Sequence, residues 1–590
     1  MDYKHLIGSL SQNITEFDLP VQITKGYDFN QKDNIKKLEL YRASRFESGQ
    51  VDSQGNKKFF FNIVNPQCGN STKNIDIDRK DIRVRALRAK DRIKAMLYTD
   101  ELKEWMRKEK FGVLLNNLSE NLPIYGSEVW KKVGKTIVRR PLRYLKFDPA
   151  IANSPNNYNI QSPYMIDEHS FTPSELEDMV THGWDKDAVA DTTEKMRLAK
   201  NYDITVYEYY TEVPNKEAGK KGDGWTMAVS YIACSDTLVK KKMDKENVFK
   251  FMKVLYVSPV KEIPYKKVDY LKIEGRAQGL GVGEMLFPLQ ERRNEMGNQK
   301  AAAMRIASKT ILQTRDKKVE GNILDELDNG DIIKVDSEIT QVATEERNLG
   351  AYAQEENNII KDTRDNANAQ EILTGESLPS RTPFRLGVLQ QENAAKLFDF
   401  IRENLGMFVE EVLIEWVLPE FEKDTNKEHI FETYSRDTIK AIMKEHNNYR
   451  INEAIKKYVI VNGSFPSEED LLLLEETLMQ NIGDTKFVKV IKDYYKGFDK
   501  DLDIDITGEK HNSAQQVETL NNLMMLIAQN PAVTQDPQLQ GLLDQVLELT
   551  GVSSSVFSNQ RSAQVAPTPA EAAQATGVGT ANAGSTPIAQ

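Results

Sequence analysis

The sequence predicts an α+β multidomain chain, and three observations carry that reading. Aromatic and β-branched runs at 204–213, 225–234 and 248–257 are separated by turn residues, the signature of antiparallel sheet. Helical spacing flanks that block, over 82–118 before it and 284–308 after it. The 590 residues admit roughly two to four domains of about 100–200 residues each. Hydrophobic residues make up 39% and charged residues 28%, so there is apolar material for real cores on an otherwise hydrophilic chain.

In chain order, 1–55 reads as a polar, loosely packed arm. KFFFNIV at 58–64 has strand composition. The 82–118 stretch places Ile93, Met96, Leu97, Leu102, Trp105 and Met106, then Val113 and Leu114, at helical spacing, with a break near Gly112. The β block follows. From 284 to 308 the propensity is helical but the apolar content is thin, which leaves no wide stripe to bury. Short β-like pieces at 311–314 and 331–335 surround the turn Asp328-Asn329-Gly330. A second polar helix is expected over 352–373 and a loop over 375–382. A third helix then starts at Thr382 and Pro383 with Leu389, Ala394, Leu397, Phe398, Ile401, Leu405, Phe408, Val412 and Trp416 on one side. Ending near Pro419, it would be roughly 50 Å long. Mixed α/β is expected over 432–506, with a strand at 501–506, a helix broken by prolines over 517–549, and a disordered Ala/Thr/Gly/Pro-rich tail after 562.

The net charge of −11 argues against tight phosphate neutralisation; an acidic surface lets DNA pass without sticking. Cys68 and Cys234 are far apart and form no CxxC, as expected of reduced thiols in the cytosol. Met1-Asp2-Tyr3-Lys4-His5 has no apolar signal core, and no run approaches the ~18 apolar residues of a membrane span. Glu410, Glu411 and Glu415 interrupt the richest apolar stretch, 407–418.

Catalytic and cofactor motifs fail on spacing. KKVGKT at 131–136 has Val129 where a phosphate loop needs glycine, and reads as a turn between strands. The glycines at 279, 281 and 283 miss the dinucleotide spacing and read as a flexible joint entering a helix. Asp499, Asp501, Asp503 and Asp505 suggest a calcium ladder, but Ile504 and Lys510 stand where an EF-hand needs Gly and Glu. The six histidines are scattered, with no HxxxH or HExxH. No catalytic residue, cofactor or metal is assigned. Basic clusters at Arg79, Lys80, Arg83, Arg85, Arg88, Lys90 and Arg92, and at Arg139, Arg140 and Arg143, read first as ion-paired or solvated surface and second as contacts to DNA or an acidic partner.

Layout and short phrases carry a resemblance. The phrases are FFNIVNP (60–66), LPIYGSEVWK (122–131), LKFDPA (145–150), GVGEMLFPLQERRN (281–294) and ILTGESLPSRTPFRLGVLQQEN (372–393). Together with the order of α+β region, polar helix, β insert, polar helix, loop and long amphipathic helix, they make the chain similar to portal proteins of tailed double-stranded DNA bacteriophages, over about 58–510. The resemblance implies a homo-oligomeric ring, usually of twelve subunits, at one capsid vertex of the virion, assembled in the host cytoplasm. After the arm at 1–57 it implies a wing over 58–280 and 420–510, stem helices at 281–309 and 351–373, a clip at 310–350 and a tunnel loop at 374–382. A long wing helix at 383–419, a helical crown at 511–560 and a tail at 561–590 complete the layout.

Glu376, Ser377, Ser380, Arg381 and Arg385 would face DNA at the tunnel loop. Lys300, Arg305 and Lys309 would face the stem lumen. Asp325, Asp328, Asn329 and Asp331 would dock partners at the clip. The partners implied are double-stranded DNA, the terminase motor, the major capsid protein and tail adaptor proteins, with no membrane. The rival readings are another virion scaffold or adaptor with helical arms, and a nucleic-acid-processing enzyme.

Overall fold

The structure is a computed structural model that describes residues 3–51, 55–77, 82–86, 92–150, 157–236, 251–307, 349–367 and 384–423, with short isolated pieces elsewhere up to 504. It is a mixed helix and sheet protein. The chain divides into two compact units, 1–423 with 498–507, and 424–497 with 508–590.

The first unit opens with Lys4–Phe17 (α1), the hairpin Val21–Thr24 (β1) and Tyr27–Phe29 (β2), and Gln31–Arg42 (α2). The loose packing expected of this segment is corrected. Leu6, Leu10, Ile14 and Phe17 recur at three or four residues and are all buried, so α1 is an amphipathic helix seated on a sheet. Val64–Ile75 (α3) comes next, and the strand expected at 58–64 is not formed: 58–63 has no regular secondary structure and pairs with no strand among the described residues. Ile82–Ala86 (β3) was expected to be helical. It is a strand because its partner, Lys500–Ile504 (β16), lies more than 400 residues on in sequence and pairs with it antiparallel. Arg92–Lys108 (α4) and Phe111–Tyr125 (α5) are the two expected helices, broken at Lys110 in a left-handed conformation.

Ser127–Val133 (β4) and Thr136–Arg140 (β5) form a hairpin, so KKVGKT is a turn between strands. Leu145–Phe147 (β6) and Tyr164–Phe171 (β7) precede Pro173–Met179 (α6) and Lys186–Ala199 (α7). Thr172 caps α6 through a reciprocal capping box with Glu175. Ile204–Pro214 (β8), Trp225–Ser235 (β9) and Phe251–Pro259 (β10) are the expected strands. They complete an antiparallel sheet in the order β10-β9-β8-β7-β6, and Tyr265–Asp269 (β11) joins a second sheet, β11-β4-β5. Alternate residues divide between faces. Tyr207 and Tyr209 meet α1, whereas Val206 meets α6 and α7 and Tyr210 meets the smaller sheet.

The joint at 279–283 is closely packed rather than flexible. Gly126 caps α5 at φ +75°, and a Cβ there would lie 2.1 Å from the Gly279 carbonyl oxygen. Arg276 fixes the same loop, donating to Glu284 and to the Gln278 and Gly279 carbonyls. Val282–Met285 (α8) leads into Phe287–Ala307 (α9). Leu312–Gln313 (β12) pairs with Thr340–Gln341 (β13), and Leu349–Asn366 (α10) follows. Phe384–Val412 (α11) continues through a π-helical turn, Leu413–Val417, into Leu418–Lys423 (α12). The expected stop at Pro419 is therefore corrected: the wider turn just before it accommodates the missing proline N–H, and the helix runs on. In the second unit Glu428–Ile430 (β14) pairs with Phe487–Lys489 (β15). The crown at 511–560 and the tail at 561–590 lie outside the described residues.

Candidate functional site

The polar helical pair α9 and α10 is the feature on which the functional reading turns. Among the described side chains of α10, only Ile359 and Thr363 are buried, one turn apart; its remaining surface is open or partly open. The two helices are joined by charge. Glu356 of α10 takes Arg293 of α9 on one oxygen and Lys300 on the other, the latter at 3.3 Å, and Arg292 lies 3.6 Å from Glu355.

An adjacent face of α9 holds a strap, and Arg293 also stacks on its Phe61 ring. Gln290, Asn294 and Asn298 recur every four residues, ~6 Å along the axis. Alternate residues of an extended chain recur every ~6.6 Å. The two periods match closely enough for side-chain amides to stand in for a neighbouring strand. Phe59 N–H donates to Asn298 Oδ1 (2.8 Å), Phe61 N–H to Asn294 Oδ1 (2.8 Å) and Ile63 N–H to Gln290 Oε1 (2.8 Å). Asn298 and Gln290 return bonds to the carbonyls of Phe59 and Phe61. The ring of Phe61 lies so close to Gly297 that a Cβ there would come within 2.3 Å of it. The strand composition of 58–64 was thus real, but its partner is a helix.

Of the residues expected at the stem, Lys300 is half-buried and paired with Glu356, whereas Arg305 is exposed and its Nε donates to the Ala301 carbonyl at 3.3 Å. Arg385 lies in α11. Lys309, the loop residues Glu376, Ser377, Ser380 and Arg381, and the clip residues Asp325, Asp328, Asn329 and Asp331 lie outside the described residues. No protein-family model matches this chain, and no curated protein matches it.

The long helix α11 is tied to the smaller sheet by the acids that interrupt its apolar run. Lys266 of β11 is fully buried and contacts Glu411 and, at 2.7 Å, Glu415; its Nζ also donates to Asn159 Oδ1 at 2.8 Å. Phe398, Ile401, Leu405, Phe408 and Val412 are buried as their spacing predicts. Phe400 and Met407, two turns apart, remain exposed, Phe400 at 61%.

Between the two sheets lies a charged cluster that the sequence reading did not single out. Asp167 and His169 of β7 and Glu208 of β8 face Lys131 of β4 and Arg140 of β5. His169 Nε2 is 2.9 Å from Glu208 Oε2 and 3.3 Å from Asp167 Oδ2. The hydroxyls of Tyr265 and Tyr210 donate to Asp167 (2.8 Å) and Glu208 (2.6 Å). Burial alone would raise both carboxyls, but hydrogen bonds from His169, with Lys131 and, at Asp167, Arg140, outweigh it and hold both well below the usual carboxylate range. Burial works against a charged His169, and its hydrogen bonds to the two acids outweigh that and raise its pKa.

Ligand atoms of Asp167, His169 and Glu208 lie within 4.8 Å of one another, close enough for a metal ion. The Lys131 ammonium already contacts both carboxylates and Arg140 contacts Asp167, so the donor set fits an internal ion-pair network better than a metal. The signal in the sequence was Asp-x-His in one strand run and a lone Glu among aromatics in the next.

Arg139 and Arg143 also face acids, Glu128 and Glu39. Cys68 and Cys234 are free and buried, and burial pushes the Cys68 thiol up to about 12. Among the described residues no helix is long and apolar enough to cross a membrane.

Proposed function

We propose that this chain is the portal-type subunit of a tailed phage: a structural, non-enzymatic protein that closes into a ring at one capsid vertex. The observation that carries the reading is α10. Among the described residues this helix buries two side chains over Leu349–Asn366, and it is joined to α9 by the ion pairs at Glu355 and Glu356. Sister copies on either side, and water in a central channel, give such helices a stable environment without a wide apolar stripe.

In this reading α9 and α10 line the channel, β12 and β13 belong to the clip that meets the packaging motor and tail adaptors, and α11 spans the wing. The net charge of −11 suits a conduit that guides a polyanion without gripping it. Native mass spectrometry of the purified full chain tests the proposal. A single closed oligomer of about twelve chains supports it, whereas a monomer, or an open series of sizes, contradicts it.

A further inference from the structure

A cavity of about 230 Å³ lies between α2, α5 and the β4–β5 hairpin, and no residue of α9 or α10 lines it. A water takes up about 30 Å³ of liquid, so a tetrahedral oxyanion fits there with several waters. Its positive groups are Arg42 of α2, Arg139 of β5 and Arg143 of the turn Leu142–Tyr144. Its acids are Glu39 of α2 and Glu128 of β4, and the phenols Tyr125 and Tyr144 share the lining.

Two observations point to an anion. The first is donor capacity left unused. A guanidinium carries five N–H donors in a planar fork. Arg139 spends only its Nε, on Glu128. Arg143 lies 3.3 Å from Glu39 Oε1 and over the Tyr144 ring, yet forms no hydrogen bond among the described residues. The second is Glu128, a carboxyl only 1% exposed that lines the cavity and takes a single hydrogen bond among the described residues, from Arg139. Burial pushes it up to about 8 against the pull of Arg139, so at neutral pH it is a neutral acid with an O–H to donate. The lining then sets three arginines against Glu39 alone.

That lining selects the ligand class. Surplus positive charge repels a metal or ammonium ion, and the many polar groups do not suit a hydrocarbon. Guanidinium forks match the oxygens of oxyanions two at a time. The donors come from β4, β5 and the turn after β5, and a tetrahedral anion accepts from all sides, whereas a planar carboxylate does so mainly in its plane. We infer that this cavity binds a small tetrahedral oxyanion, a phosphate or sulfate group, held by Arg139 and Arg143 with a hydrogen bond from Glu128. The inference is independent of ring formation.

Isothermal titration of the full-length protein with sodium sulfate tests it, because sulfate keeps its charge across the range used. At about pH 6.5, saturable binding of one sulfate per chain is expected, and inorganic phosphate should compete for it. Arg139→Gln should bind roughly tenfold more weakly. Arg143→Gln, whose native side chain is half exposed, should weaken binding several-fold and serves if the first variant folds poorly. Affinity should fall as pH rises through about 8, where Glu128 becomes charged, and Glu128→Gln should abolish that fall. Arg197→Gln, on α7 and outside the cavity, should not alter binding. Absence of saturable binding, unchanged affinity in both cavity arginine variants, or a pH profile that Glu128→Gln leaves as it was would overturn the inference. Displacement of the sulfate by duplex DNA at equal phosphate concentration would also overturn it, by assigning these arginines to a nucleic-acid backbone.

Discussion

Lys131 is one of the residues that join the two sheets, with Arg140 and Tyr265. It reaches Asp167 and Glu208 from the facing sheet, and all three are buried. Removing one partner of a buried pair leaves an uncompensated charge, a larger loss than the pair's net worth. Lys131→Met should therefore destabilise the first unit by about 3–5 kcal/mol in urea unfolding, and adding Glu208→Gln should restore part of it.

The pKa directions set the pH dependence. Asp167 and Glu208 are depressed in the folded state, so their contribution is present above the unfolded carboxylate value of ~4 and fades as pH falls below it. His169 is raised, so its contribution is complete below ~6.5 and fades as pH rises through the folded value. Unfolding midpoints measured from pH 3 to 9 should show both limbs. His169→Gln should flatten the alkaline limb and, because His169 hydrogen bonds lower both carboxyls, weaken the acid limb as well. Little of this was legible in the sequence: Asp167, Glu168 and His169 break the apolar alternation of β7, and their partners lie on neighbouring strands (Lys146, Glu208) or on the other sheet (Lys131, Arg140).

At the scale of elements, the strap tests how a helix replaces a strand. Asn294→Leu leaves the Phe61 N–H without its acceptor and should cost ~1–3 kcal/mol. Gly297→Ala puts a methyl where the Phe61 ring lies and should displace the strap while leaving α9 helical. Amide hydrogen exchange at 59–63 reads both variants, and unchanged protection in both would discredit the ladder.

The elements also show where sequence patterns suffice. β8 was readable because aromatic and β-branched residues dominate it, and β9 because a Gly-rich turn bounds a run that begins with them. The buried face of α11 was readable from Phe398 to Val412 because its period is regular. β3 was misread because its partner is β16, and short-range periodicity carries no information about a pairing that distant. α1 was underestimated because a one-residue-per-turn apolar stripe is diluted by the polar residues between.

At the scale of the whole molecule, the proposed ring gives α9 and α10 their neighbours from other copies. The layout of polar helix, β insert, polar helix and long amphipathic helix was visible in the sequence, and the described residues hold α9, β12, β13, α10 and α11 in that order. The ion pairs that join α9 to α10 were not visible, since nothing in either helix alone indicates that Arg293 and Lys300 converge on Glu356.

The loop at 375–382 lies outside the described residues. Shortening it should leave the oligomer intact, as judged by native mass, while impairing DNA packaging or retention in phage assembly. Loss of the oligomer would remove that assignment. The most direct measurement is electron microscopy of the purified full-length protein viewed along its symmetry axis. The account predicts a closed ring with an axial channel walled by α9 and α10 from successive copies. Compact single subunits, with no central opening in any assembled form, would contradict it.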